Sequence, residues 1–244
     1  GRQNYTSYSK KARNLSLCMK NFKRNGIRIS CAIAGLLLAA LPACAERPSI
    51  NDLVSRIQEK YEQTSDLKAR FVQESTLKTM KRTEREEGAV YFKRPKRMLW
   101  DYTKPSAKKL VINPRTAWLY VPEDKMVYVQ DSNKIFNSKL TIKFLTGIGK
   151  LKDDFNIRYS QPDTDGKGDF LLDLTPKNPG PEAGFEKLHV TVGKDTFMIT
   201  RCSFKDVYGN STVISFADIK INNHLPDSLF TFKPPAGVEV QKVP

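Results

Sequence analysis

Histidine, cysteine and tryptophan are scarce in this chain of 244 residues, which holds two, four and two of them. His189 sits in a strand-like run and His224 in the turn-like NNHLPD, and neither has a partner at metal-ligand spacing. H-E-x-x-H and C-x-x-C are missing, which removes the zinc and thiol–disulfide sites that a sequence can announce. No G-x-S-x-G elbow occurs. Gly147-Ile148-Gly149-Lys150 is too short for a phosphate-cradling loop. Asp153-Asp154 and Glu86-Glu87 are paired carboxylates, but neighbours in a strand point to opposite faces, so both pairs read as solvated ends. Catalysis, a metal and a cofactor are therefore not expected.

The first 45 residues lack acids altogether while carrying Arg2, Lys10, Lys11, Arg13, Lys20, Lys23, Arg24 and Arg28. Ile29 to Ala45, ISCAIAGLLLAALPACA, is apolar apart from Ser30 and ends in Ala43-Cys44-Ala45. A cationic stretch, a short apolar run and an A-x-A ending follow the order of a secretory signal peptide, and the run is too short to read as a membrane span. Met19 stands where translation can begin. Residues 1–45 are thus expected to be an extension and cleaved leader, and residues 46–244 the working domain. Leu41-Pro42-Ala43-Cys44 also resembles a lipobox, so lipidation at Cys44 stays open beside cleavage after Ala45. With the leader gone, 33 bases face 26 acids and the net charge falls from +15 to about +7. That charge suits an anionic membrane surface as well as nucleic acid, and export leads away from most nucleic acid. Cys202 would be the one remaining cysteine, leaving no internal disulfide, so a core must hold the domain, and its length permits one.

What the chain does contain is alternation. Ser49 precedes INDLVSRIQEKYEQ with Asp52 in a capping-box position, and Ile50, Leu53, Val54, Ile57 and Tyr61 fall on one helical stripe. From Leu67 the period becomes two. LKARFVQESTLK, GAVYFKR, MLWDYT, KKLVIN, TAWLYV, MVYVQ, DFNIRYS, DFLLDLTP, FEKLHVTV, FMITRCSFKD and STVISFADIKI read as eleven strands, divided by turn residues such as Asn113-Pro114 and Tyr208-Gly209-Asn210. A second helix is expected in SKLTIKFLTGIGK, Ser138 to Lys150. No repeat or long linker breaks the pattern. The class predicted is mainly β, an antiparallel sheet curled towards a barrel. Several strands are apolar on both faces, as in TAWLYV, which means that both faces are covered or that one lines a recess for an apolar ligand.

VYFKRPKRMLWDYTKP, Val90 to Pro105, mixes five cations with four aromatic residues. Its Lys93-Arg94-Pro95 and Trp100-x-Tyr102-x-x-Pro105, followed by TAWLYVP (Thr116 to Pro122), resemble the signature of the LolA family of outer-membrane lipoprotein carriers. SDLKARFVQ (Ser65 to Gln73) and FTFKPPAGVEV (Phe230 to Val240) resemble that family's first strand and its ending. The resemblance implies an open, incomplete β-barrel with an α-helical lid. It implies a periplasmic, monomeric chaperone that takes triacylated lipoproteins from an ABC-type releasing transporter in the inner membrane and delivers them to an outer-membrane receptor. It transfers a lid-gating role to Arg94, whose guanidinium can bond helix-end carbonyls. Candidates for an acyl-chain cavity beneath the first helix are Leu53, Ile57, Phe71, Val90, Phe92, Met98, Trp100, Leu110, Ile112, Trp118, Tyr120 and Phe144. Lys96, Arg97 and Met98 are candidates for contact with the transporter or membrane, and Met98 stands where members of the family often carry an aromatic residue.

Two other functions compete. A lipid-anchored receptor of the same fold would carry acylated Cys44. An exported polyanion binder would use the basic aromatic stretch and show salt-sensitive retention on DNA.

Overall fold

Ser49 begins the first element by accepting a hydrogen bond from the Asp52 backbone N–H at 3.1 Å, while its hydroxyl donates to the Asp52 carboxylate at 2.7 Å. This reciprocal cap starts α1, Ile50–Glu62. The structure, a computed structural model, describes residues 47–138, 151–180 and 184–243. The expected leader, all but the first residue of the expected second helix, and Phe144 lie outside the described residues.

After α1 come β1 (Asp66–Leu77), β2 (Arg82–Lys93), β3 (Arg97–Lys104), β4 (Lys108–Ile112), β5 (Thr116–Val121) and β6 (Met126–Asp131). Two short helices follow, α2 (Ser132–Ser138) and α3 (Leu151–Asp154). The chain continues through β7 (Phe155–Thr164), β8 (Phe170–Pro176), β9 (Leu188–Val192), β10 (Ile199–Lys205) and β11 (Ser211–Ile221). A 3-10 turn, Asp227–Phe230, and β12 (Glu239–Lys242) complete it. Sequence periodicity did not anticipate α2, whose start is marked by the Asp131 carboxylate accepting from the Asn133 backbone N–H at 2.8 Å.

Among the described residues twelve strands form one sheet in the order β12-β6-β5-β4-β3-β2-β1-β11-β10-β9-β8-β7. All neighbours are antiparallel except β12, which runs parallel to β6. The twelfth strand, beyond the eleven expected, is this short, exposed terminal piece. One face of β1–β5 and of β7–β11 joins a single apolar core with α1, so the sheet curls around the helix.

The second apolar face of the early strands is covered rather than hollow. Leu99 and Val111 pack with Leu225 and Phe230, which the chain lays across the outside after β11. Lys93 fixes that segment by donating to the Leu225 carbonyl at 2.6 Å and pairing with Asp227 at 2.6 Å. Arg97 adds a second bond to Asp227 at 3.2 Å.

Candidate functional site

Parity decides which side chains face the helix. In β1–β4 the paired positions Phe71 with Gly88, Val90 with Trp100, Phe92 with Met98, and Met98 with Ile112 lie on the concave face. Leu53 and Ile57 of α1, both at most 1% exposed, join that face in one core. Phe71 meets Trp100 edge-on at 4.7 Å and Tyr102 at 4.9 Å between centroids. Gly88 makes room for this cluster: a β-carbon there would lie 2.1 Å from the Asp101 carbonyl oxygen and 2.9 Å from the Phe71 ring.

Leu53, Ile57, Phe71, Val90, Phe92, Met98, Trp100 and Ile112 are therefore brought together as expected, with Leu110 half-buried beside them. Here they fill the interior. The unfilled space under α1 is displaced towards the later strands, a narrow cleft of only about 10 Å³ between Val54 and Ile57 above and Ile157, Leu172, Val190 and Ile199 below. Except for Ile57, none of the described cavity candidates lines it. The signal for the others was present in the alternation of DFNIRYS, DFLLDLTP and LHVTV, but the residues of the basic aromatic stretch all fall in the first half of the sheet.

Two assignments need correction. Trp118 and Tyr120 share the parity of Val111, not of Ile112, so they lie on the outer face, where their rings pack 6.5 and 5.4 Å from Phe232. Met98 is fully buried and accepts the Trp100 indole N–H on its sulfur at 2.9 Å, so it belongs to the core and not to a contact surface. Lys96 and Arg97, the other candidates for contact with the transporter or membrane, are half-buried and reach Asn133 and Asp227.

Polar contacts hold α1 at both ends. At its C-terminus the exposed Arg94 donates from Nη2 to the Tyr61 carbonyl at 2.5 Å, beside a small surface depression of about 30 Å³ that Asp66, Phe92 and Arg97 also line. The Tyr61 hydroxyl accepts from the Ile199 backbone N–H at 3.2 Å, and burial pushes its pKa up, so it stays protonated. At the N-terminal end Tyr159 donates to the Pro48 carbonyl at 2.8 Å, Arg47 pairs with Asp163, and Lys152 reaches Ser55 Oγ at 3.0 Å.

Asp66 anchors the frame beneath this latch. Its carboxylate accepts from the backbone N–H groups of Asn223 at 2.7 Å and Leu225 at 3.2 Å. Burial raises its pKa, but these hydrogen bonds outweigh burial and leave it below the ordinary carboxylate value. On the outer face Ser160 and His189 both bond the same Asp173 oxygen, at 2.7 and 2.8 Å. The imidazole does not bridge serine and carboxylate there, so the trio has no relay with which to activate a nucleophile.

A sequence model of the family described as outer membrane lipoprotein carrier protein LolA matches residues 62–233. The outer-membrane lipoprotein carrier protein of Dechloromonas aromatica is 26% identical over 208 residues, covering 85% of this chain and 94% of that one. Its counterpart from Methylococcus capsulatus is 28% identical over 186 residues, covering 76% and 86%. A crystal structure of an uncharacterized conserved protein from Thermus thermophilus aligns with a TM-score of 0.51 at 13% identity, over 80% of this chain and all of that one, a likeness of fold.

Proposed function

The chain belongs to the outer membrane lipoprotein carrier protein LolA family, and from that premise we propose that it shelters the acyl chains of lipoproteins between α1 and the concave face of its sheet. Residues 1–45 are its leader and residues 46–244 the carrier, a monomer working in the periplasm. It receives triacylated lipoproteins from an inner-membrane ABC-type transporter and passes them to an outer-membrane receptor. The observation that carries this reading is the α1 seal: an apolar stripe closes an apolar face, and polar bonds at the two ends of the helix latch it.

The gap of about 10 Å³ is far below the roughly 300–1,000 Å³ of sites that enclose drug-sized ligands, so α1 lies closed on the sheet. Loading must lift α1. Re-exposing Leu53, Val54 and Ile57 costs about 5–9 kcal/mol at roughly 1.5–3 kcal/mol each. Sheltering a sixteen-carbon chain returns roughly 12 kcal/mol at about 0.8 kcal/mol per CH2. One chain is enough to drive opening, and the cost of opening keeps the complex weak enough to release its cargo onward.

Purified protein incubated with inner-membrane vesicles, the releasing transporter and ATP is expected to yield a soluble lipoprotein complex. If lipoprotein stays with the vesicles at every protein concentration, the carrier reading fails. Mass spectrometry of the mature N-terminus separates the related receptor role: a free Glu46 fits the carrier, an acylated Cys44 the receptor.

A further inference from the structure

Among the described residues, the large apolar side chains exposed away from the C-terminal strand are Met80, Val207 and Tyr208, which are 69%, 64% and 80% exposed. They belong to two turns, Lys78–Lys81 between β1 and β2 and Asp206–Asn210 between β10 and β11. The turns sit side by side, because the Lys78 backbone N–H donates to the Asn210 side-chain oxygen at 3.1 Å. We propose that this pair of turns is a docking tip for the surface of an anionic lipid bilayer.

Charge supports the choice of occupant. Lys78, Lys81 and Lys205 are exposed around the three apolar side chains. The acid within the turns, Asp206, is folded inward: its carboxylate accepts from the backbone N–H groups of Tyr208 and Asn210, each at 2.9 Å, and from the Asn210 amide at 2.9 Å. The tip therefore offers cations outward and is already ordered, so docking costs it little conformational freedom.

Shape supports it too. Three side chains projecting singly from tight turns do not make the flat, contiguous patch of about 800 Å² that a stable protein partner buries. A bilayer interface accepts such projections, placing tyrosine at headgroup depth and lysines among the lipid phosphates. β1 is twelve residues long, which sets the tip about 35 Å along the strand from the Arg94 end. Docked this way, the molecule rests on the membrane with its Arg94 end turned to the water, free to meet a partner. The inference does not need the carrier reading, since the test contains no lipoprotein.

The protein, expressed from its full sequence and purified after export, is sedimented with phosphatidylcholine vesicles with and without phosphatidylglycerol. Binding to the anionic vesicles alone is expected. Lys78→Gln/Lys81→Gln/Lys205→Gln should weaken it on the order of a hundredfold, at about fivefold per cation. Met80→Ser/Val207→Ser/Tyr208→Ser should weaken it at least tenfold with an unchanged urea midpoint, and Lys81→Glu alone serves where a triple variant folds poorly. Equal binding to neutral vesicles, no binding by the parent, or full binding by the variants would overturn the proposal. So would losses seen on native inner membranes but not on pure lipid, which would assign the tip to a protein.

Discussion

At Arg94 one guanidinium joins the end of β2 to the last turn of α1, and that bond is exposed. An exposed contact contributes little to stability, and under the proposed function this one sits where lifting of the helix would begin. Arg94→Leu is expected to fold normally and accept lipoprotein, yet deliver it to the receptor slowly; transfer assays with labelled lipoprotein measure both steps, and delivery at the parent rate would refute the gating role. Asp66 works differently. Its hydrogen bonds exist only in the fold, so the pKa that they depress stabilises above the unfolded value near 3.9, and that stability is lost as pH falls through the lower folded value. Asp66→Asn should lower stability at pH 7 by about 1–3 kcal/mol and flatten the loss between pH 7 and pH 3, as urea midpoints at the two pH values would register. The reach of Arg94 to a helix-end carbonyl was foreseen through the family resemblance, which rests in part on the local motif Lys93-Arg94-Pro95. Asp66 was not, because its partners lie more than 150 residues away in the chain.

Among the elements, α1 was the most legible, since cap, stripe and polar face all announced the same segment. Removing the cap with Ser49→Ala should cost about 1 kcal/mol and appear as faster amide exchange confined to the first turn; exchange unchanged there would mean that packing alone holds the helix. The strands were legible as strands, but their facing was less so. TAWLYV is apolar on both sides, and only pairing with β4 reveals that Trp118 looks outward. Gly88 was silent in the sequence for a related reason. The need for glycine arises where β2 crosses close to the Asp101 carbonyl, at the irregularity in its pairing with β3. Gly88→Ala should therefore destabilise by at least 1–3 kcal/mol, measured as a lower urea midpoint; a neutral result would mean that β3 can shift aside.

For the whole molecule, periodicity predicted a curled β-sheet with a helix over it, and that is the architecture. The volume inside was not legible. Whether apolar faces enclose a hollow or close upon each other depends on how α1 sits, and hydrophobic pattern is the same in both cases. Here the helix sits low and the hollow is nearly shut. A bound acyl chain should then raise the apparent stability of the protein while making α1 exchange its amides faster, a combination that hydrogen exchange with and without cargo would detect. Protection gained by α1 on loading would contradict the lifting movement.

Among the described residues the hydrogen-bond ladder runs from β12 to β7 as a strip with two ends, not as a hoop. A hoop has a girth set by its strand count and can be enlarged only by breaking bonds. A strip can uncurl, its edges drifting apart while every rung stays intact. The calibre of this vessel is thus adjustable, and a bulkier passenger would be accommodated by relaxing curvature and not by tearing the wall.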